Sequence, residues 1–173
     1  MILTGPAITA EQQRGRIVID PFTPDLVNPN SVNYRLGATL RLHRSTVIDP
    51  LGDHPTEEIV IPKDGVVLRP GRVYLGTTLE RIGSDHYVPS LIGRSSLGRL
   101  GVFLQVSADL GNLGAIHRWT LELVVVQPIR LYAGMVVGQV SFWVPDGAIH
   151  PYVGHFGGFS TAVTPPPRLL TAS

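Results

Sequence analysis

Cysteine is absent from the chain. Its absence excludes structural disulfides, thiolate-ligated zinc and a cysteine nucleophile. Lysine is nearly absent: of 14 basic residues only Lys63 is a lysine. It sits in "IPKDGV", which reads as a turn, so the glycine-and-lysine phosphate loop of many nucleotide triphosphatases has no counterpart. Charge of either sign is scarce, and the formal net charge is +1. That balance disfavours nucleic acid as a partner, because polyanion binders carry a basic surplus. No apolar run reaches the length of a membrane span, and no leader pattern is recognisable. A soluble cytoplasmic protein without a membrane partner is the expectation.

Glycine and proline are plentiful, at 19 and 15 of 173 residues, and the apolar runs between them are short. Such punctuation predicts many strands and turns. One short N-terminal helix is expected from "TAEQ", with Thr9 as N-cap, Gln12 completing a capping box and Gly15 ending the helix. Strands are expected in "RIVID", "VNYRLGATLRLH", "EEIVIP", "GVVLRPG", "RVYLGTTLERI", "VFLQVSA", "RWTLELVVV", "IRLYAG" and "MVVGQVSFWV". Leu68, Gly71, Val73 and Gly76 loosely match Leu131, Gly134, Val136 and Gly138, which reads as two similar strand–turn–strand corners. The chain predicts a single mainly-β domain over residues 1–163, a barrel or jelly-roll-like sandwich, followed by a Pro-rich tail over 164–173.

Two features carry chemistry. In "RWTLELVVV", alternation puts Trp119, Leu121, Leu123 and Val125 on one face and Thr120, Glu122, Val124 and Val126 on the other. Glu122 is then either an exposed residue of an edge strand or a desolvated, paired carboxylate fit to act as a base. The second feature is "GRSSLGRLG", Gly93 to Gly101, which concentrates donors. Arg94 and Arg99 offer guanidinium forks suited to phosphate or carboxylate. Ser95 and Ser96 offer hydroxyls, and the glycines permit unusual backbone geometry. Solvated arginines beside a helix start are the plain alternative. His43, His54, His86, His117 and His150 show no metal-ligand spacing, and His117 is expected at the surface. Trp119 and Trp143 are expected in the core or at a subunit interface.

The block "GRSSLGRLG", followed by "SADLGNLGAIHRWTLEL", resembles the dCTP deaminase branch of the dUTPase-like superfamily. "GRIVIDPF", "SVNYRLG", "LRPGRVYLGTTLERI" and "YAGMVVGQVSF" extend the likeness over nearly the whole chain. The resemblance implies a dUTPase-like distorted β-barrel, a homotrimer with active sites between subunits, and a pyrimidine nucleotide substrate. It implies metal-free hydrolytic deamination of a cytosine nucleotide. Glu122 would be the general base and acid, Arg99 would hold it, and Ser95 with the carbonyl of Ala108 would place the water. Main-chain groups of Thr120 and Leu121 would read the pyrimidine. Arg94 and Ser96 would contact the phosphates, with Mg2+ bridging the phosphate oxygens and no catalytic metal.

Three departures qualify that likeness. The turn that carries an aspartate in the family has Asn112, in "GNLGA", at the deoxyribose position; an amide cannot serve as a carboxylate base. The C-terminal lid keeps its tyrosine as Tyr152, but His155 stands at the lysine position and Phe159 at the glutamine position. "GHFGGFSTA" is also similar to the glycine-rich tail of dUTPases. Asn33 replaces a usual aspartate, with a consequence expected for packing only. The alternatives are a dUTP pyrophosphatase, a bifunctional deaminase and pyrophosphatase, and a non-catalytic nucleotide-binding trimer.

Overall fold

The run 32–43 was expected as one strand, but it leaves one sheet and enters another at Leu36–Gly37. In the computed structural model, which describes residues 1–104, 108–154, 161, 162 and 164, it forms β2 (Val32–Arg35) and β3 (Thr39–His43). Gly37 makes the corner possible. Its N–H donates to the Thr77 carbonyl at 2.8 Å, and a Cβ there would lie 2.4 Å from Thr77 Oγ1. Glycine in a strand commonly marks such a close backbone approach.

The remaining strands are β1 (Val18–Asp20), β4 (Thr56–Val60), β5 (Val66–Leu68), β6 (Val73–Thr77), β7 (Arg81–Gly83), β8 (Val88–Gly93), β9 (Val102–Leu104), β10 (Thr120–Val125), β11 (Ile129–Leu131) and β12 (Val136–Trp143). All pairings are antiparallel. They build a five-stranded sheet β4-β3-β6-β10-β9, a three-stranded sheet β2-β12-β8, and the pairs β1-β7 and β5-β11. Leu40, Leu42, Leu68, Leu91, Leu121, Leu123, Val137, Val140 and Phe142 fill the space between the sheets. The result is the mainly-β distorted barrel that the sequence implied.

The two corners are real. β5 and β11 pair with each other, Leu68 and Leu131 are both fully buried, and Gly71 (φ +85°) and Gly134 (φ +74°) occupy the turns that follow. β8 was not foreseen, because Pro89 inside "VPSLIG" argues against a strand. The strand tolerates it by pairing with β12 while the Pro89 carbonyl accepts the Gly111 N–H at 2.7 Å.

The helix also begins earlier than its expected cap. α1 spans Gly5–Gln13 with Thr4 extended at its N-cap and Pro6 in its first turn, where a fixed φ suits a helix start. Thr9 lies inside it and donates Oγ1–H to the Gly5 carbonyl at 3.1 Å. Gly15 (φ +71°) does follow the helix end. A second helix, α2 (Ser95–Gly98), is a single turn.

Candidate active site

Glu122 is not on an edge strand. β10 is bracketed by β6 and β9, and its burial alternates, with Leu121, Leu123 and Val125 buried and Thr120, Glu122 and Val124 half-buried. Cross-strand partners share a face, so Glu58, Arg41, Leu75 and Glu122 form one outward row across the sheet. Arg41 pairs with Glu58 at 3.6 Å. Buried Leu75 separates that pair from Glu122.

Glu122 opens into a cleft of about 720 Å³. Leu75, Val73 and Val124 give it an apolar floor, and His43, Ser45, Thr46 and Arg72 line it too. His43 meets His54 edge-on, with ring centroids 6.1 Å apart. Burial, and then the neighbouring His54, hold the His43 imidazole below its ordinary pKa, which favours the neutral ring at pH 7. Sequence reasoning singled out none of Arg72, Ser45 and Thr46. Arg72 lies in the "LRPGRVYLGTTLERI" segment but was not singled out there, Ser45 and Thr46 follow β3, and it is the fold that brings all three to the Glu122 cleft.

The Arg94–Arg99 block lies at the other end of β10. Leu97 is its buried anchor. The Val126 N–H donates to the Gly101 carbonyl at 3.0 Å, and Gln127 Nε2 donates to the Leu100 carbonyl at 3.2 Å. Val126 is four residues from Glu122, about 13 Å along a strand. Ser95, Ser96 and Arg99 are exposed and Arg94 is half-buried. Among the described residues the ion pairs are Arg14 and Arg16 with Glu11, Arg35 with Glu80, and Arg41 with Glu58. The expected Arg99–Glu122 pair is therefore not formed within one protomer.

A third group forms around residues 108–115. The Leu91 N–H donates to the Asp109 carbonyl at 2.7 Å, and Ser90 Oγ–H to Asp109 Oδ2 at 3.0 Å. Ala108 and Asn112 are exposed. The Asn112 carbonyl accepts the Ala115 N–H at 3.2 Å, and the Tyr152 N–H donates to the Leu113 carbonyl at 2.8 Å. The structure thus brings Tyr152 to the Asn112 turn. His155 and Phe159 lie outside the described residues. His117, expected at the surface, is buried, because its ring stacks on Trp119 at 4.3 Å. Trp119 is half-buried, and its Nε1–H donates to the Ile82 carbonyl at 2.9 Å. Among the described residues no group of three His, Asp or Glu could hold a metal ion. The described residues do not form a protein cage for Mg2+.

An antiparallel barrel whose outward sheet face presents one acid in a cleft defines the class: a dUTPase-like β-barrel. Within it, the chain belongs to the dCTP deaminase-like family, whose model matches residues 2–144. It is 42% identical over 152 residues to a dCTP deaminase, dUMP-forming, of Clostridium acetobutylicum, covering 88% of this chain and 87% of that one. It is 38% identical over 165 residues to the Hathewaya histolytica protein of the same name, covering 95% of each. A Rhodopirellula baltica dCTP deaminase is 41% identical over 85% of this chain and 74% of its own length. The crystal structure of 2'-deoxycytidine 5'-triphosphate deaminase from Agrobacterium tumefaciens superposes with a TM-score of 0.66 at 23% identity, over 83% of this chain. The chain spans about half of that structure, 48%, and the likeness is one of fold.

Proposed function

We propose that the protein is a hydrolytic deaminase of a cytosine nucleotide, dCTP or a close analogue, with Glu122 as general base and then general acid. The supporting observation is the position of Glu122 on an interior strand, half-buried at the cleft, in a chain about 40% identical to proteins named dCTP deaminase. Glu122 takes a proton from water as the oxygen bonds to C4. The same carboxyl returns the proton to the amino nitrogen, the C4–N bond breaks, and ammonia leaves a uracil nucleotide. One positioned carboxylate is worth about 10²–10⁴-fold in such a step. Thr120 and Leu121 lie beside it on β10 and offer main-chain contacts to the base. Mg2+ enters on the phosphates.

The site is completed by a second copy. In one protomer Ser95 and Arg99 lie at the far end of β10, so the reading takes a homotrimer in which a neighbour lays its Arg94–Arg99 block against Glu122. Ser95 and the Ala108 carbonyl then place the water, Arg99 steadies Glu122, and Arg94 and Ser96 take phosphate. Asn112 and Tyr152 face the sugar.

Ammonia release from dCTP, with Glu122→Gln as control, tests this reading. Wild type is expected to release ammonia and the variant to lose at least about 10²-fold in kcat. A fully active variant removes Glu122 from the mechanism. The relatives' names favour a second reading, in which pyrophosphate is also released and dUMP is the product. Asn112, an exposed amide without base capacity, favours arrest at dUTP. Chromatography of the nucleotide product separates the two outcomes.

A further inference from the structure

We propose that Arg72, with the hydroxyls of Ser45 and Thr46, is a phosphate-recognition element at the far end of the Glu122 cleft. This rests on the deaminase reading of Glu122, and it adds residues that the family likeness does not assign. Leu75 pairs with Glu122, and Arg72, in the turn before β6, lies three residues before Leu75, about 10 Å from it along an extended chain. That span is comparable to the one between C4 of a cytosine and the phosphates of its nucleotide. Glu122, Arg72, Ser45 and Thr46 line this one cleft together with apolar Val73, Leu75 and Val124.

The cationic end is also held in place. The Arg69 N–H donates to Tyr74 Oη at 3.0 Å, and Tyr74 is buried, so the turn carrying Arg72 is pinned to the core. The neck of the Ser45–Thr46 loop is closed by the Arg44 N–H donating to the Pro55 carbonyl at 3.0 Å. Among the described residues Arg72 joins none of the ion pairs, so its guanidinium is not committed to a structural carboxylate. The related corner provides an internal comparison. Gly71 matches Gly134, so Arg72 matches Met135. The turn needs no arginine for its own geometry, and the arginine occurs at the corner that borders the cleft. A guanidinium fork with neighbouring hydroxyls is well suited to a phosphate group. The only lysine, Lys63, is not among the residues lining the cleft.

The test is binding of dCTP and of deoxycytidine by calorimetry, in a Glu122→Gln background that prevents turnover. Adding Arg72→Ala is expected to weaken dCTP by about tenfold or more, as for loss of one charged phosphate contact, and to leave deoxycytidine within about twofold. Arg72→Lys retains part of the affinity, and Ser45→Ala with Thr46→Val gives a smaller loss. In otherwise wild-type protein, Arg72→Ala raises KM for dCTP far more than it lowers kcat. Equal dCTP affinity with and without Arg72 overturns the proposal, as does an equal loss for deoxycytidine. If dCTP binds through Arg72 yet wild type releases no ammonia, the deaminase reading falls and this one stands. If ammonia is released with an unchanged KM, the reverse holds.

Discussion

Glu11 and Glu122 show how differently one chain holds two acids. Glu11 is buried on α1 and accepts hydrogen bonds from Arg14 Nη1 at 2.7 Å, Arg16 Nη2 at 2.6 Å and Tyr87 Oη at 2.9 Å. The Arg16 guanidinium, acting against the cost of burial, brings its carboxyl from an ordinary 4.5 down to about 2. A carboxyl with a lowered folded pKa stabilises the fold above its unfolded pKa, and that contribution is lost as pH falls through the folded value. The window is therefore about pH 4.5 down to 2. Denaturation midpoints should fall across it in wild type, and Glu11→Gln should lower the midpoint at neutral pH while flattening that part of the profile. Parallel profiles would show that the Arg16 pair does not couple to folding. The role of Glu11 was hidden in the sequence, because "TAEQ" reads as a helix start capped by Thr9 and gives Glu11 no part. The helix in fact begins near Pro6, which turns Glu11 inward toward Tyr87. A carboxylate between leucines at period two drew attention to Glu122, but the sequence left open whether its strand lies at an edge, and the sheet order places that strand inside. His117 was not, because its burial depends on stacking with Trp119, two residues on.

At the scale of elements, the repeated Leu–Gly–Val rhythm foretold both corners, and their shared geometry bears it out. What pattern could not show was which glycines serve a turn and which serve packing. Gly134 has a positive φ and open space around it. Gly138, in β12 between β2 and β8, is a packing glycine: a Cβ there would lie 2.2 Å from both Cζ and Oη of Tyr34 and 2.5 Å from the Ile92 carbonyl oxygen. Tyr34 is fully buried, and its hydroxyl donates to that same carbonyl at 3.0 Å, so the ring cannot retreat without breaking the bond. Overpacking of this kind costs about 1–3 kcal/mol, and the lost hydrogen bond adds about 1 kcal/mol. Gly138→Ala should therefore destabilise by about 2–4 kcal/mol in urea melts, by those two contributions together. Gly134→Ala should cost only the ~1–2 kcal/mol of a left-handed backbone. Equal losses would mean that β12 shifts to admit the methyl group.

Across the whole molecule, the outward face of the five-stranded sheet sets exposed apolar side chains beside its charged row. Val60 (68% exposed), Val126 (62%), Phe103 (44%) and Val73 (41%) lie on it, on four different strands or strand ends around the row that holds Glu122. These apolar side chains flank the row that holds the proposed catalytic acid, and in the proposed trimer this face meets a neighbour. Burying that face against a neighbour would exclude water from Glu122 and strengthen each polar contact made to it. Assembly and catalysis should then fail together. Phe103→Asp adds a charge at the face while its β9 backbone pairing with Val124 stays intact, so a folded chain is expected. Sedimentation should report a monomer in place of the proposed trimer, and ammonia release from dCTP should drop by at least the factor seen for Glu122→Gln. A variant that sediments as a monomer and deaminates at the wild-type rate would show that one protomer holds the complete site. In that case the Arg94–Arg99 block would lose its assigned role.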